Sequence, residues 1–85
     1  MFKHYQDPGH GWIAVKTGLL IELKIAHKIS GFSYLKGNTA YLEEDSDAGT
    51  FFRAYEEKFG SKPDVQSVHQ EKTPIRNYPS YPEVS

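Results

Sequence analysis

Four histidines, a run of acidic residues and a tyrosine-bearing hairpin are the parts of this 85-residue sequence with chemistry to offer. A transition-metal site needs ligands at short spacing, such as two histidines one helical turn apart. His4, His10, His27 and His69 stand in four different segments, and no pair has that spacing, so no metal site is expected. Asp45, Asp47 and Glu56 fall on the first, third and last positions of a calcium-loop register. Gly49 takes the fifth, however, and Thr50 stands where that loop needs glycine for its sharp turn. The cluster Glu43, Glu44, Asp45 and Asp47 reads instead as the acidic start of a helix. No glycine-rich phosphate cradle and no motif for an activated nucleophile occurs. The chain is therefore expected not to be an enzyme and to need no cofactor.

Binding has more to work with. In FSYLKGNTAYLEE, Gly37-Asn38 is a two-residue hairpin turn. It sets Lys36 opposite Thr39, Leu35 opposite Ala40, Tyr34 opposite Tyr41 and Ser33 opposite Leu42. Alternation then puts Ser33, Leu35, Ala40 and Leu42 on one face and Phe32, Tyr34, Lys36, Thr39, Tyr41 and Glu43 on the other. The second face could be core, meet a protein, or stack Phe32, Tyr34 and Tyr41 on unpaired bases with Lys36 on phosphate. Near the C-terminus, IRNYPSY brings Arg76, Tyr78 and Tyr81 into a proline-bounded stretch. It can dock on a partner or lie on its own domain. In GHGW, His10 sits between glycines and before Trp12, where close backbone approach to a ligand, or a simple turn, is open.

These residues need elements to hold them. Phe2–Tyr5 and Trp12–Val15 read as strands around an Asp7–Gly11 turn. A helix with Leu19, Leu20 and Leu23 at helical spacing starts at Thr17, its expected cap, and ends between Ile25 and Lys28. After the hairpin, Asp45 or Ser46 caps a second helix with Asp47 in its first turn. Ala48, Phe51, Phe52, Tyr55 and Phe59 form an apolar stripe along it, and Gly60 stops it. Asp64–Gln70 alternates and reads as a last edge strand. The expected fold class is α+β, a small mostly antiparallel sheet with two helices on one face, in the order β-β-α-β-β-α-β. Residues 1–72 form one domain. Residues 73–85, with three prolines in thirteen positions, form an extended tail.

The formal net charge of −1 hides an asymmetry. Residues 43–57 hold six acids and one base, and the remainder five acids and nine bases. Cysteine is absent, which removes disulfides and thiolate chemistry. With no leader-like start and no long apolar run, a cytoplasmic protein away from the membrane is expected.

The succession DPGHGWIAVK, LLIELKIAHKIS, FSYLKGNTAYLEEDSDA and KTPIRNYPSY resembles a family of small phage and prophage proteins. These run through a GHGW turn, a short Leu-rich helix, a SYxxGxxxYLEED hairpin and an IRxY segment. The resemblance implies a phage-encoded origin and a host cytoplasm, and it carries no established activity or catalytic residue. Residues 12–43 are also similar to AbrB-like swapped-hairpin proteins, with LLIELKI in place of their LRxxLGI; this implies an intertwined dimer and DNA binding. Lys16 alone stands where those proteins carry proline and basic residues. The expected function is binding of a protein partner, such as a host factor, by a monomer or homodimer; nucleic-acid binding is the alternative. The candidate residues are Phe32, Tyr34, Lys36, Tyr41, Arg76, Tyr78 and Tyr81, with His10 and Trp12 as a loop candidate.

Overall fold

The computed structural model describes residues 1–82. Five strands and two α-helices follow in the expected order: β1 (Phe2–Asp7), β2 (His10–Lys16), α1 (Thr17–Glu22), β3 (Tyr34–Lys36), β4 (Thr39–Glu43), α2 (Asp47–Phe59) and β5 (Val65–His69). Short 3-10 turns occupy Ala26–Lys28 and Pro74–Asn77. The strands form one sheet in the order β3-β4-β2-β1-β5. Every neighbouring pair is antiparallel except β1 and β5, which run parallel, with Phe2 beside Val65 and Gln6 beside His69.

The hairpin register follows its turn chemistry. Gly37 has φ +60°, as a two-residue hairpin loop requires, and Tyr34, Leu35 and Lys36 face Tyr41, Ala40 and Thr39. One sheet face carries Ile13, Val15, Ala40 and Leu42, all buried. Both helices cover it. Leu20 of α1 and Ala48 and Phe51 of α2 join those residues in a single cluster, and Phe2 meets Phe51 and Tyr55 edge-on.

Three local expectations are corrected. Helix α1 stops at Glu22, earlier than the leucine spacing implies. Lys24 takes a left-handed conformation with φ +60°, and its N–H and that of Ile25 return to the carbonyls of Ile21 and Leu20. This is a Schellman stop, which lets Ile25 turn into the core against Leu20. Thr17 is the first helical residue rather than the cap; Lys16 precedes it, with no side-chain cap bond. Ser46 stands at the start of α2 without capping it, because its hydroxyl donates to Glu43 Oε2 at 3.0 Å.

Candidate functional site

Strand alternation and register place the side chains of the face opposite the helices in rows. Lys36, Thr39 and Lys16 form one row across β3, β4 and β2. Tyr34, Tyr41, Ala14 and Lys3 form the next, and Glu43, Trp12 and Tyr5 the third.

The C-terminal segment crosses part of this face. Arg76 sits on the first hairpin: Nε donates to Asp7 Oδ2 at 3.0 Å and Nη2 to Asp7 Oδ1 at 2.8 Å. Its Nη2 is also 2.8 Å from His10 Nδ1, and the guanidinium lies over the Trp12 ring at 5.8 Å. The Arg76 guanidinium holds the Asp7 carboxyl below the usual carboxylate range. Tyr78 packs on Tyr41, ring centroids 5.2 Å apart, and Lys36 Nζ stands 4.6 Å from the Tyr78 ring centre. The chain then runs along β3. Leu35 N–H donates to the Pro79 carbonyl, Tyr34 bridges Ser80 in antiparallel sense, and Tyr81 N–H donates to the Ser33 carbonyl. Tyr81 rounds the sheet edge into the helix-side core, where its hydroxyl donates to the Ala26 carbonyl at 2.9 Å. Burial pushes the Tyr41 and Tyr81 hydroxyls up from their ordinary value.

Most of the sequence-derived candidates are thus brought together, and much of what they bind is one another. Tyr34, Lys36, Tyr41, Tyr78, Arg76, His10 and Trp12 share the face opposite the helices, while Tyr81 lies on the far side of the sheet. Phe32 joins neither group. It falls in the turn before β3 and is 76% exposed. Trp12, by contrast, is 1% exposed, enclosed by His10, Tyr34 and Arg76.

The glycine of GHGW has its own reason. A Cβ on Gly11 would lie 2.3 Å from Glu44 Oε1 and 2.7 Å from His4 Nε2. Gly11 therefore gives room to the 3.0 Å contact between His4 Nε2 and Glu44 Oε1, with Gln6 Nε2 3.3 Å from His4 Nδ1. The close approach is to the protein's own His4–Glu44 contact.

Two features were hidden in the sequence. Asp47, expected as a solvated first-turn carboxylate, is 4% exposed. Its Oδ2 accepts from Ser30 N–H at 3.0 Å, Ser30 Oγ at 2.7 Å and Ser33 Oγ at 2.5 Å. Ser33 Oγ in turn accepts from Glu43 N–H, so one carboxylate joins the start of α2, the segment before β3 and the end of β4. Only long-range packing defines it; the spacing of Ser30, Ser33 and Asp47 matches no local pattern. The second is the closure of the β3 edge, whereas β5 is the edge strand that the alternation of Asp64–Gln70 predicts. The β3 edge is covered by residues 79–81. No strand lies beyond β5 among the described residues. Phe2 N–H donates to the Asp64 carbonyl and Gln70 N–H to the Gln6 carbonyl. In a parallel pair alternate residues engage the neighbour, so the even-numbered residues of β5 face β1. Val65, Ser67 and His69 direct their backbone groups outward. Beside this edge, Phe52, Pro63 and Val65 line a groove flanked by Arg53, Glu56 and Lys62.

Among the described residues no group of three or more His, Asp or Glu is placed to hold a metal ion, and no helix is long and apolar enough to cross a membrane. The fold is that of a small mixed α+β domain. Comparison with protein-family models, curated proteins and solved structures finds no match.

Proposed function

We propose that this is a non-enzymatic accessory domain that binds a protein partner by strand addition at β5. The observation that carries this reading is the asymmetry of the sheet edges. One edge is closed by the chain itself; the other presents Val65, Ser67 and His69 with outward N–H and carbonyl groups, next to an apolar groove. An extended segment can add its main chain to such an edge and drop alternate side chains into the flanking groove. Several titratable groups suited to chemistry are engaged internally: Asp7 with Arg76, Asp47 with Ser30 and Ser33, and His4 with Glu44. The resemblance to small phage proteins makes a host protein the first partner to seek.

The test is capture of a partner by the full chain from host-cell lysate, with identification of the bound protein, beside a Ser67→Pro variant. The Ser67 N–H points away from β1, so proline there removes an outward donor and leaves the β1 pairing intact. Loss of the captured protein with an unchanged melting temperature supports docking at β5. Retention at full strength removes β5 as the site, and turnover of a substrate by the purified chain overturns the non-enzymatic reading.

A further inference from the structure

We propose that the half of the aromatic face left open by the C-terminal segment binds single-stranded nucleic acid. The segment covers Trp12 and meets one side of Tyr5 and Tyr41, but leaves open the part of the face around Ala14, Lys3 and Lys16. What remains is a depression of about 460 Å³ whose walls include Lys3, Tyr5, Lys16, Thr39 and Tyr41. Its floor is Ala14, a small residue set between Lys3 on β1 and Tyr41 on β4 in register.

Three observations point to that ligand. First, the charge is of one sign. Lys3 and Lys16 line the depression, Lys36 stands on the far side of Thr39 from Lys16, and no carboxylate lines it. Asp7, on the same face, is neutralised by Arg76, and Glu43 accepts from Asp45 N–H and Ser46 Oγ beyond Tyr41. The sheet separates this surface from Asp47, Glu56 and Glu57 of α2, which packs on the opposite face. Second, the lysines are spread out. Lys16 and Lys36 lie two strands apart, about 10 Å at the backbone. That is wider than one phosphate spans and suits successive phosphates of a strand. Third, the Tyr5 and Tyr41 rings, in contact with centroids 6.3 Å apart, form one aromatic wall of the depression beside Ala14. A splayed base can enter against an aromatic wall while its phosphates meet lysine. A duplex keeps its bases stacked and cannot use the depression.

The experiment is fluorescence anisotropy of the full chain with a labelled oligothymidylate of about ten nucleotides, titrated across salt concentration. Binding is expected at low salt, with the logarithm of affinity falling against the logarithm of salt at a slope of about −2, as three single-strand phosphate contacts imply. Lys3→Gln, Lys16→Gln and Lys36→Gln are each expected to flatten the slope by about 0.7 and weaken binding roughly three- to tenfold. Ala14→Ile fills the depression with a β-branched residue suited to a strand; it is expected to weaken binding with the slope unchanged. Ser67→Pro, on the edge strand beside β1 and outside the residues that line the depression, is expected to leave the affinity untouched, which keeps this outcome separate from partner binding at β5. Absence of binding at low salt overturns the proposal. So do a slope indifferent to all three lysines, equal affinity for a duplex of the same length, and equal affinity for an acidic peptide of matched charge.

Discussion

Arg76 and Asp7, 69 positions apart, are joined by two parallel hydrogen bonds that fasten the C-terminal segment to the first hairpin. The Asp7 side chain is 4% exposed and the Arg76 side chain 46%, so the contact is a buried carboxylate closed by a half-exposed guanidinium. Because Arg76 holds the folded-state Asp7 below its ordinary value, the stabilisation is complete above the unfolded-state value and disappears as pH falls through the folded one. Asp7→Asn is therefore expected to lower the melting temperature at neutral pH, with the gap to the wild type closing in acid. Arg76→Ala uncovers the sole tryptophan, Trp12, and is expected to shift its emission to the red. An unchanged spectrum would contradict the packing described for that ring.

Asp47→Ala leaves the Ser30 N–H and the Ser30 and Ser33 hydroxyls without their shared acceptor. Each buried unpaired group costs about 1–3 kcal/mol, so a loss of about 3 kcal/mol or more is expected in urea unfolding. Ser33→Ala removes one of these donors together with the acceptor of Glu43 N–H, and is expected to cost about half as much.

Lys24→Gly is expected to stabilise the protein. Lys24 has φ +60° with its N–H bonded to Ile21, a conformation that costs a side-chain-bearing residue roughly 1 kcal/mol and glycine nothing. The larger unfolded-state entropy of glycine offsets part of this. A rise of about 0.5 kcal/mol in the unfolding free energy is the expected outcome.

Gly11→Ala is expected to be destabilising because the new methyl group meets the His4–Glu44 pair. The clash is with side-chain ends, and Glu44 is partly exposed, so the cost should be moderate, about 1–2 kcal/mol. In a Glu44→Ala background the same change is expected to cost less. A double-mutant cycle that shows no coupling would rule out this account of the glycine.

Tyr41 and Tyr81 should ionise above the ordinary tyrosine value. Burial raises both, so the folded state binds their protons more tightly than the unfolded chain. Stability is unaffected below the ordinary tyrosine value and falls as pH rises from there through the raised values. A spectrophotometric titration is expected to show tyrosine ionisation above the ordinary value that coincides with loss of the near-ultraviolet circular dichroism signal. Tyr81→Phe removes the bond to the Ala26 carbonyl and one of these protons, at about 1 kcal/mol.

What could be read from sequence was what local rules determine. Gly37-Asn38 fixed the pairing of Tyr34 with Tyr41, and the spacing of Ala48, Phe51, Phe52 and Tyr55 placed α2 on the Leu42 side of the sheet. Gly60, with φ +77°, ends α2 as expected. The parts that were not legible depend on residues far apart in the chain. The parallel pairing of β1 with β5, the clasp between Arg76 and Asp7 and the insertion of Tyr81 under Ala26 have no short-range signature. Phe32 was placed on the strand by extending the alternation two residues beyond the point where pairing begins. The site was legible as a composition of aromatic and basic residues. Which of them would be open and which covered was decided by the C-terminal segment.

The pairing of β1 with β5 also orders events during synthesis. β1 is the first strand made, yet one side of it stays unpaired until Val65–His69 have left the ribosome, and the β3 edge stays open until residues 79–81 follow. A nascent chain halted in α2 would display two raw sheet edges and a core lacking Tyr81, the state in which a chaperone or a neighbouring nascent chain can seize it. Final closure of this domain is therefore a late step of its folding, and its yield should respond to how quickly Val65–Tyr81 are delivered.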